Sequence, residues 1–344
     1  MKIKSKDIAE ALQLSEATVS LALNGKPGVN RKTRERVQEY LRQQEEKIYG
    51  HAACENDKGL VVMLEYIKNG IIMNRAAGRG KAVPVELSKV PGKYGYRMET
   101  WIYYEKTDSL EGLFGQLEKK AVKGLYIIGA EMDRDDIFPF LRLKIPVVVG
   151  DNSFYEEGVD CFLLDNREGI RSGIRYLMEK GHSHIAYLAE DLDIYNFVER
   201  REAFVLEMAR QECGDVHNRI IHMGNTEDEV YENTLRYLEE GRRRPTAFFL
   251  ESSVVSVGVI KALLERKVRI PRDISLVGFD ALPPVGLNSF SLTQIKGIHT
   301  KRHGAALRHL IMHIEDEETE IIRVYYKTRM IEGNSVFDKT RYIY

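Results

Sequence analysis

The chain has 344 residues, 43% hydrophobic and 30% charged, enough to bury a sizeable core and too many for one ordinary domain. Its 51 basic and 52 acidic residues leave a formal net charge of -1, so a polyanion-binding surface must be local rather than global. Three cysteines (Cys54, Cys161, Cys213) without a C-x-x-C pair exclude a disulfide framework and a zinc ribbon. The charged start and short apolar runs argue against a signal peptide or membrane span, so a soluble, cytoplasmic protein is expected.

The first 44 residues hold nine basic and five acidic side chains, a net +4 that leaves -5 for the other 300. Within this basic head, Ser5 is placed to cap a helix whose inner side is Ile8, Ala9 and Leu12, and the chain turns at Gln13 and Leu14. Ser15 then caps a second helix over residues 16–23, with Val19, Ala22 and Leu23 inside at three- and four-residue spacing. Asn24-Gly25 stops it, and a third helix follows Asn30 with Val37, Tyr40 and Leu41 as its core face. Two short helices and a tight turn form a helix-turn-helix, which presents its second helix to the major groove of DNA.

From Gly59 onward, short β-rich runs alternate with helical patterns. Strands are predicted at 60–64, 97–104, 124–128, 146–150, 161–164, 185–188, 220–223, 247–250 and 274–277. A helix with Ile170, Ile174, Leu177 and Met178 on one face lies between the fifth and sixth. Such alternation means parallel sheets covered by helices, and this much of it implies two α/β lobes. Residues 66–96 are rich in Gly and Pro, so the first helix of the body is expected to be irregular.

The strings Asp7-Ile8-Ala9, Leu14 to Ser20, Ala22 to Lys26 and Thr33 to Val37 make the head resemble that of the LacI/GalR family of transcription regulators. The body resembles the family's effector domain of the periplasmic-binding-protein type through Phe162 to Asn166, Gly181-His182, Pro245-Thr246-Ala247, Ile270 to Asp280 and Ser291-Leu292-Thr293. The resemblance implies an all-α helix-turn-helix head at 1–47, a linker at 48–58, and a two-lobed α/β effector and dimerisation domain at 59–344. The lobe crossings would fall near residues 165, 291 and 325.

By the same resemblance, Glu16, Ala17 and Leu21 face base edges, while Thr18, Ser20, Asn24, Lys26, Arg31 and Arg34 contact phosphates. The implied partners are double-stranded operator DNA, a second copy of the chain and a carbohydrate-like effector. That effector would sit in a cleft at the carboxyl ends of the strands, against Tyr66 (or Glu65), Asp151, Arg200, Ser252 and Asp280. A ligand-controlled repressor is the reading, with a ligand-responsive activator or an enzyme bearing a DNA-binding head as alternatives.

Two departures stand out. The linker has neither the proline nor the wedging leucine of the family's hinge helix; Ile48 or Tyr49 are the remaining candidates for intercalation, and a plain linker is expected. Ser252-Ser253 replaces the family's Asn-Asp pair. No phosphate loop, dinucleotide fingerprint, nucleophile elbow or H-E-x-x-H occurs, so neither catalysis nor a cofactor is expected. His299 with His303, and His309 with His313, have the i, i+4 spacing of helical zinc ligands, but no Cys, Asp or Glu spacing completes either pair, and no metal is expected.

The division between base readers and phosphate contacts is measurable by salt-dependent DNA binding. Glu16→Ala is expected to relax discrimination at one operator position by about 1–3 kcal/mol with the salt slope unchanged. Lys26→Ala is expected to weaken all sequences alike and lower that slope by about one unit.

Overall fold

A computed structural model describes residues 5–23, 33, 36–37, 40, 57–71, 85–211, 216–240, 245–280, 282, 290–316 and 320–342. In the head, α1 (Ser5–Leu12) and α2 (Glu16–Leu23) pack through Ile8, Ala9, Val19 and Ala22, with Val37 completing the buried cluster. Leu12, Leu14 and Tyr40 lean on it. Gln13 takes a left-handed backbone (φ 55°) that lets the chain reverse between the helices. Ser15 caps α2 as expected, its Oγ accepting the Thr18 N–H at 3.1 Å. The expectations for Asn24-Gly25, Asn30, Leu41 and the linker around Ile48 and Tyr49 lie outside the described residues, as does the side chain of Leu23.

The first lobe is a six-stranded, all-parallel sheet. It comprises β1 (Gly59–Ile67), β2 (Tyr96–Tyr104), β3 (Val122–Ile128), β4 (Val147–Gly150), β5 (Asp160–Leu164) and the late strand β11 (Arg323–Tyr326), in the order β2-β1-β3-β4-β5-β11. Alternation along β1 sends Leu60, Val62, Leu64 and Tyr66 to the face covered by α4 (Leu110–Lys119). Val61 and Met63 go to the opposite face, covered by α3 (Val85–Gly92) and α10 (His299–Glu315). The short α5 (Arg134–Ile137) closes the carboxyl end of the sheet's first face through buried Ile137. Residues 72–84, the middle of the Gly/Pro-rich stretch, lie outside the described residues, and α3 carries Pro91 in its last turn.

The second lobe holds β6 (Ile185–Ala189), β7 (Ile220–His222), β8 (Ala247–Leu250), β9 (Ser275–Phe279), β10 (Thr293–Lys296) and β12 (Arg329–Ile331), in the order β7-β6-β8-β9-β10-β12. Only β12 runs antiparallel. One face is covered by α6 (Asn166–Glu179) and α7 (Tyr195–Arg210), the other by α8 (Glu227–Glu239) and α9 (Ser253–Glu265). His182 is structural: its ring nitrogens meet Thr246 Oγ1 and the Phe337 carbonyl, both at 3.0 Å, tying the β6 approach to the C-terminal segment.

The chain crosses between lobes after β5, after β10 and after β11. The middle crossing comes at Gly297-Ile298, later than the expected position near 291, because Thr293 to Ile295 first pair with β9 and extend the second sheet. At that point an added Cβ on Gly297 would lie 2.5 Å from Leu164 of the first crossing, so glycine lets two crossings run side by side.

Glycine also sets how closely α6 lies on its sheet. A Cβ at Gly169 would meet Phe279 at 2.8 Å and Ile295 at 2.9 Å, and one at Gly173 would meet Phe249 at 2.6 Å. Both face the sheet at i, i+4 spacing. Gly173→Ala is therefore expected to destabilise the protein by about 1–3 kcal/mol through overpacking, read as a lower urea midpoint, although alanine is the better helix former.

Candidate functional site

In both sheets the strand order reverses beside the first strand: β2-β1-β3 in the first lobe and β7-β6-β8 in the second. Crevices open at such points beyond the carboxyl ends of parallel strands. The polar residues gather there. Asp151 follows β4, Asn166 follows β5, Glu190 follows β6, Glu251 and Ser252 follow β8, and Asp280 follows β9. Asp151 (φ 66°) and Asp280 (φ 69°) both hold left-handed backbone, which a short polar side chain tolerates and which concentrates at functional sites.

On the first-lobe side, Arg302 of α10 is wholly buried, with its Nη1 2.5 Å from Asp151 Oδ1. Burial pushes the Asp151 carboxyl up, but the Arg302 guanidinium overrides this and holds it below the ordinary carboxylate value. Arg302 Nη2 also lies 3.4 Å from His299 Nδ1 and from His303 Nε2, and His303 Nδ1 meets Tyr126 Oη at 2.6 Å. Burial and the Arg302 charge push the His303 imidazole down to about 3, so it stays neutral. Arg302 Nε has no hydrogen-bond partner among the described residues.

On the second-lobe side, α7 supplies Asn196, Glu199 and Arg200. Arg200 Nε donates to Asn166 Oδ1 at 2.9 Å, and its Nη1 donates to the Glu251 carbonyl at 2.9 Å and to Asp280 Oδ2 at 3.4 Å. Its guanidinium stacks 3.6 Å over the Phe279 ring. Asn166 Nδ2 in turn donates to Asn196 Oδ1 and Glu199 Oε2, each at 2.9 Å. The two halves meet where Asn196 Nδ2 donates to the Asp151 carbonyl at 2.9 Å. A continuous polar chain thus runs from Tyr126 through Arg302 and Asp151 to Arg200 and Asp280.

Behind Arg200 sit two wholly buried carboxyl groups, those of Glu190 and Glu251. Glu251 accepts from Tyr187 Oη at 3.2 Å and from the Glu190 N–H at 2.7 Å, with Arg201 Nε 3.5 Å away. Ser252 donates to Glu190 and also caps α9. Its hydroxyl is therefore part of the wall.

Of the predicted cleft residues, the fold brings Asp151, Arg200, Ser252 and Asp280 together. Tyr66 is placed elsewhere: it lies inside the first-lobe core with Tyr103 at 5.3 Å and Phe140 at 6.3 Å between ring centroids, because it shares the α4 face of β1. Glu65 occupies the other face, half-buried, its carboxyl raised by burial. Sequence reasoning did not single out Arg302, Asn196, Glu190 or Glu251. The available signal was one arginine set among the apolar positions Ala306, Leu307 and Leu310 of α10. In the head, Glu16 and Ala17 are exposed at the start of α2 and Leu21 is half-buried. Thr18 Oγ1 is engaged with Ser15 Oγ at 2.8 Å. The side chain of Ser20, and Asn24, Lys26, Arg31 and Arg34, lie outside the described residues.

Comparison with known proteins finds two family models. Residues 5–45 match the bacterial regulatory proteins of the lacI family, and residues 174–336 match the periplasmic binding protein-like domain. The HTH-type transcriptional repressor PurR of Actinobacillus pleuropneumoniae serotype 3 is 26% identical over 315 residues, 92% of each chain. A complex of the transcriptional regulator CelR with cellobiose shares the fold at a TM-score of 0.67, 21% identity, 97% of this chain and all of the other. The lac repressor dimer bound to operator and the anti-inducer ONPF does so at 0.67 and 18%, over 98% of this chain and 100% of that one. Among the described residues no helix is long and apolar enough to cross a membrane.

The buried Glu251 carries a pH signature. Burial raises its carboxyl from 4.5 to about 8 despite Arg201, so the folded protein holds a proton that the unfolded chain releases at lower pH. Stability is then expected to fall as pH rises from about 4.5 to about 8 and to level off above that, by linkage. In Glu251→Gln this component of the slope is expected to vanish; urea midpoints across the range would show it, and an undiminished slope would place the proton elsewhere.

Proposed function

We propose, from a head matched by the lacI family of bacterial regulatory proteins and a body matched by the periplasmic binding protein-like domain, a homodimeric, cytoplasmic LacI-family repressor controlled by a carbohydrate-like effector held between the lobes. The observation that carries the proposal is the polar chain across the cleft. Arg200, Asp280 and Asp151 come from both lobes and stand past the strand ends. An aspartate accepts from sugar hydroxyls, and a guanidinium donates in a fixed fork to hydroxyl or carboxylate oxygens. The unpartnered Arg302 N–H, a burial costing about 1–3 kcal/mol, favours an oxygen-rich ligand over an apolar one.

Cellobiose in the CelR complex supports a saccharide, and the operator-bound lac repressor dimer supports paired heads. One recognition helix reads few bases, so two half-sites supply affinity and specificity. Effector binding competes for Asp151, Arg200 and Asp280, shifts the lobe arrangement and so alters the spacing of the heads, a coupling of typically about 1–3 kcal/mol. The cleft groups are read as reversible binders rather than catalysts.

A thermal-shift screen of sugars, sugar acids and oligosaccharides on the full chain is expected to yield a stabilising ligand that also changes operator affinity. Arg200→Ala and Asp280→Asn, checked for native circular dichroism, are expected to lose that shift. A ligand whose shift survives both changes, or one that is chemically turned over, would overturn the proposal.

A further inference from the structure

The opposite end of the first lobe carries a second cluster that the regulator reading leaves unused. Asp160 opens β5, and His309 and His313 lie one turn apart near the end of α10, which crosses over the amino ends of the parallel strands. His309 Nε2 is 3.0 Å from Asp160 Oδ1, His313 Nε2 is 3.3 Å from Asp160 Oδ2, and the two Nε2 atoms are 3.0 Å apart. A tetrahedral zinc ion with bonds of about 2.0–2.1 Å spaces neighbouring donors by roughly 3.3 Å, so the two imidazole nitrogens, each facing a different oxygen of the one carboxylate, stand at nearly the spacing such a site needs, and one ligand atom from each of the three residues can be chosen with all three within 4.8 Å of one another. We propose that Asp160, His309 and His313 bind a divalent transition-metal ion, with solvent completing its coordination.

The surroundings favour this over a chance contact. Asp160 is 3% exposed and the histidine side chains are 12% and 16% exposed, so the donors are nearly desolvated yet keep an opening to solvent. The Asp160 carboxylate is fixed by the Ile322 N–H, which donates to Oδ1 at 2.7 Å from the residue leading into β11, and the His309 ring lies against Phe162 at 5.5 Å between centroids. Such supporting contacts hold metal ligands in orientation. Strand alternation points Cys161 to the other face, where its Sγ receives the Phe154 N–H. The donor set is therefore imidazole and carboxylate, suited to zinc, nickel or cobalt(II) rather than to copper(I).

The sequence alone left both histidine pairs without a third ligand. Asp160 is 149 residues from His309 in the chain, and only the packing of α10 over β5 brings them together. The site also borders the entry of the linker, since Lys58 pairs with Glu315, the last residue of α10. Bound metal would join α10, β5 and the approach to β11 at that edge, far from the effector cleft at the opposite strand ends.

The test uses tag-free, chelator-treated full-length protein titrated with zinc chloride, and separately with cobalt chloride. One zinc per chain, a higher melting temperature and the intense visible absorption of tetrahedral cobalt are expected. His309→Ala and His313→Ala are each expected to weaken binding at least as much as the roughly 10- to 100-fold that loss of a supporting contact costs. The exposed His217→Gln is expected to bind as the parent does. Absence of stoichiometric zinc binding by the parent protein refutes the site, whatever the variants do. Binding that is unchanged in both histidine variants refutes it too, by placing the ion elsewhere.

Discussion

A guanidinium removed from water needs a countercharge at close range, and the cleft is organised around that requirement twice over. Arg302 is wholly buried and answers to Asp151; Arg200 is almost so, and answers to Asp280, the Glu251 carbonyl and Asn166. Because each countercharge stands just past a strand end, the two ion pairs fix where α7 and α10 lie relative to the sheets. Removing Asp151 would leave Arg302 buried without its countercharge, which costs far more than the pair itself contributes.

The pairs also connect the lobes. α10 follows a strand of the second sheet but packs on the first, so Arg302 reaches Asp151 from a helix that belongs to both halves by connectivity. Asn196 of α7 reaches across to the Asp151 carbonyl. A ligand that replaces any of these contacts acts on both lobes at once, which is what a sensor must do to pass a local binding event to a distant head. Three side-by-side crossings, with Gly297 against Leu164, make the same junction a natural pivot.

Parallel sheets give each lobe two unlike ends. At the carboxyl end loops open into a crevice, and here that end collects the charged residues of the cleft. At the amino end of the first lobe the chain enters from the linker, α10 terminates on Lys58, and Asp160 faces two histidines. A binding event at either end engages α10, whose start carries Arg302 and whose end carries His309 and His313.

Local sequence determined the elements themselves. Helix caps at Ser15, three- and four-residue apolar spacing in the head, and β-rich runs from residue 60 to 277 are signals written within a few residues, so α1, α2 and the predicted body strands were legible, as was the two-lobed parallel fold. The short strands β10, β11 and β12 were not, since TQIK, RVYY and RMI mix polar or charged residues into four or fewer positions where the equally short β4 and β8 are continuously apolar, and they exist through pairing with β9, β5 and β10. Family resemblance singled out Asp151, Arg200, Ser252 and Asp280, which the fold gathers past the strand ends, but Tyr66 could not be told from Glu65, because adjacent strand residues point to opposite faces and only packing names the face. Arg302 with Asp151, and Asp160 with His309 and His313, are separated by some 150 residues. Their proximity is a property of which helix lies over which strand, and that is decided by burial of the whole core.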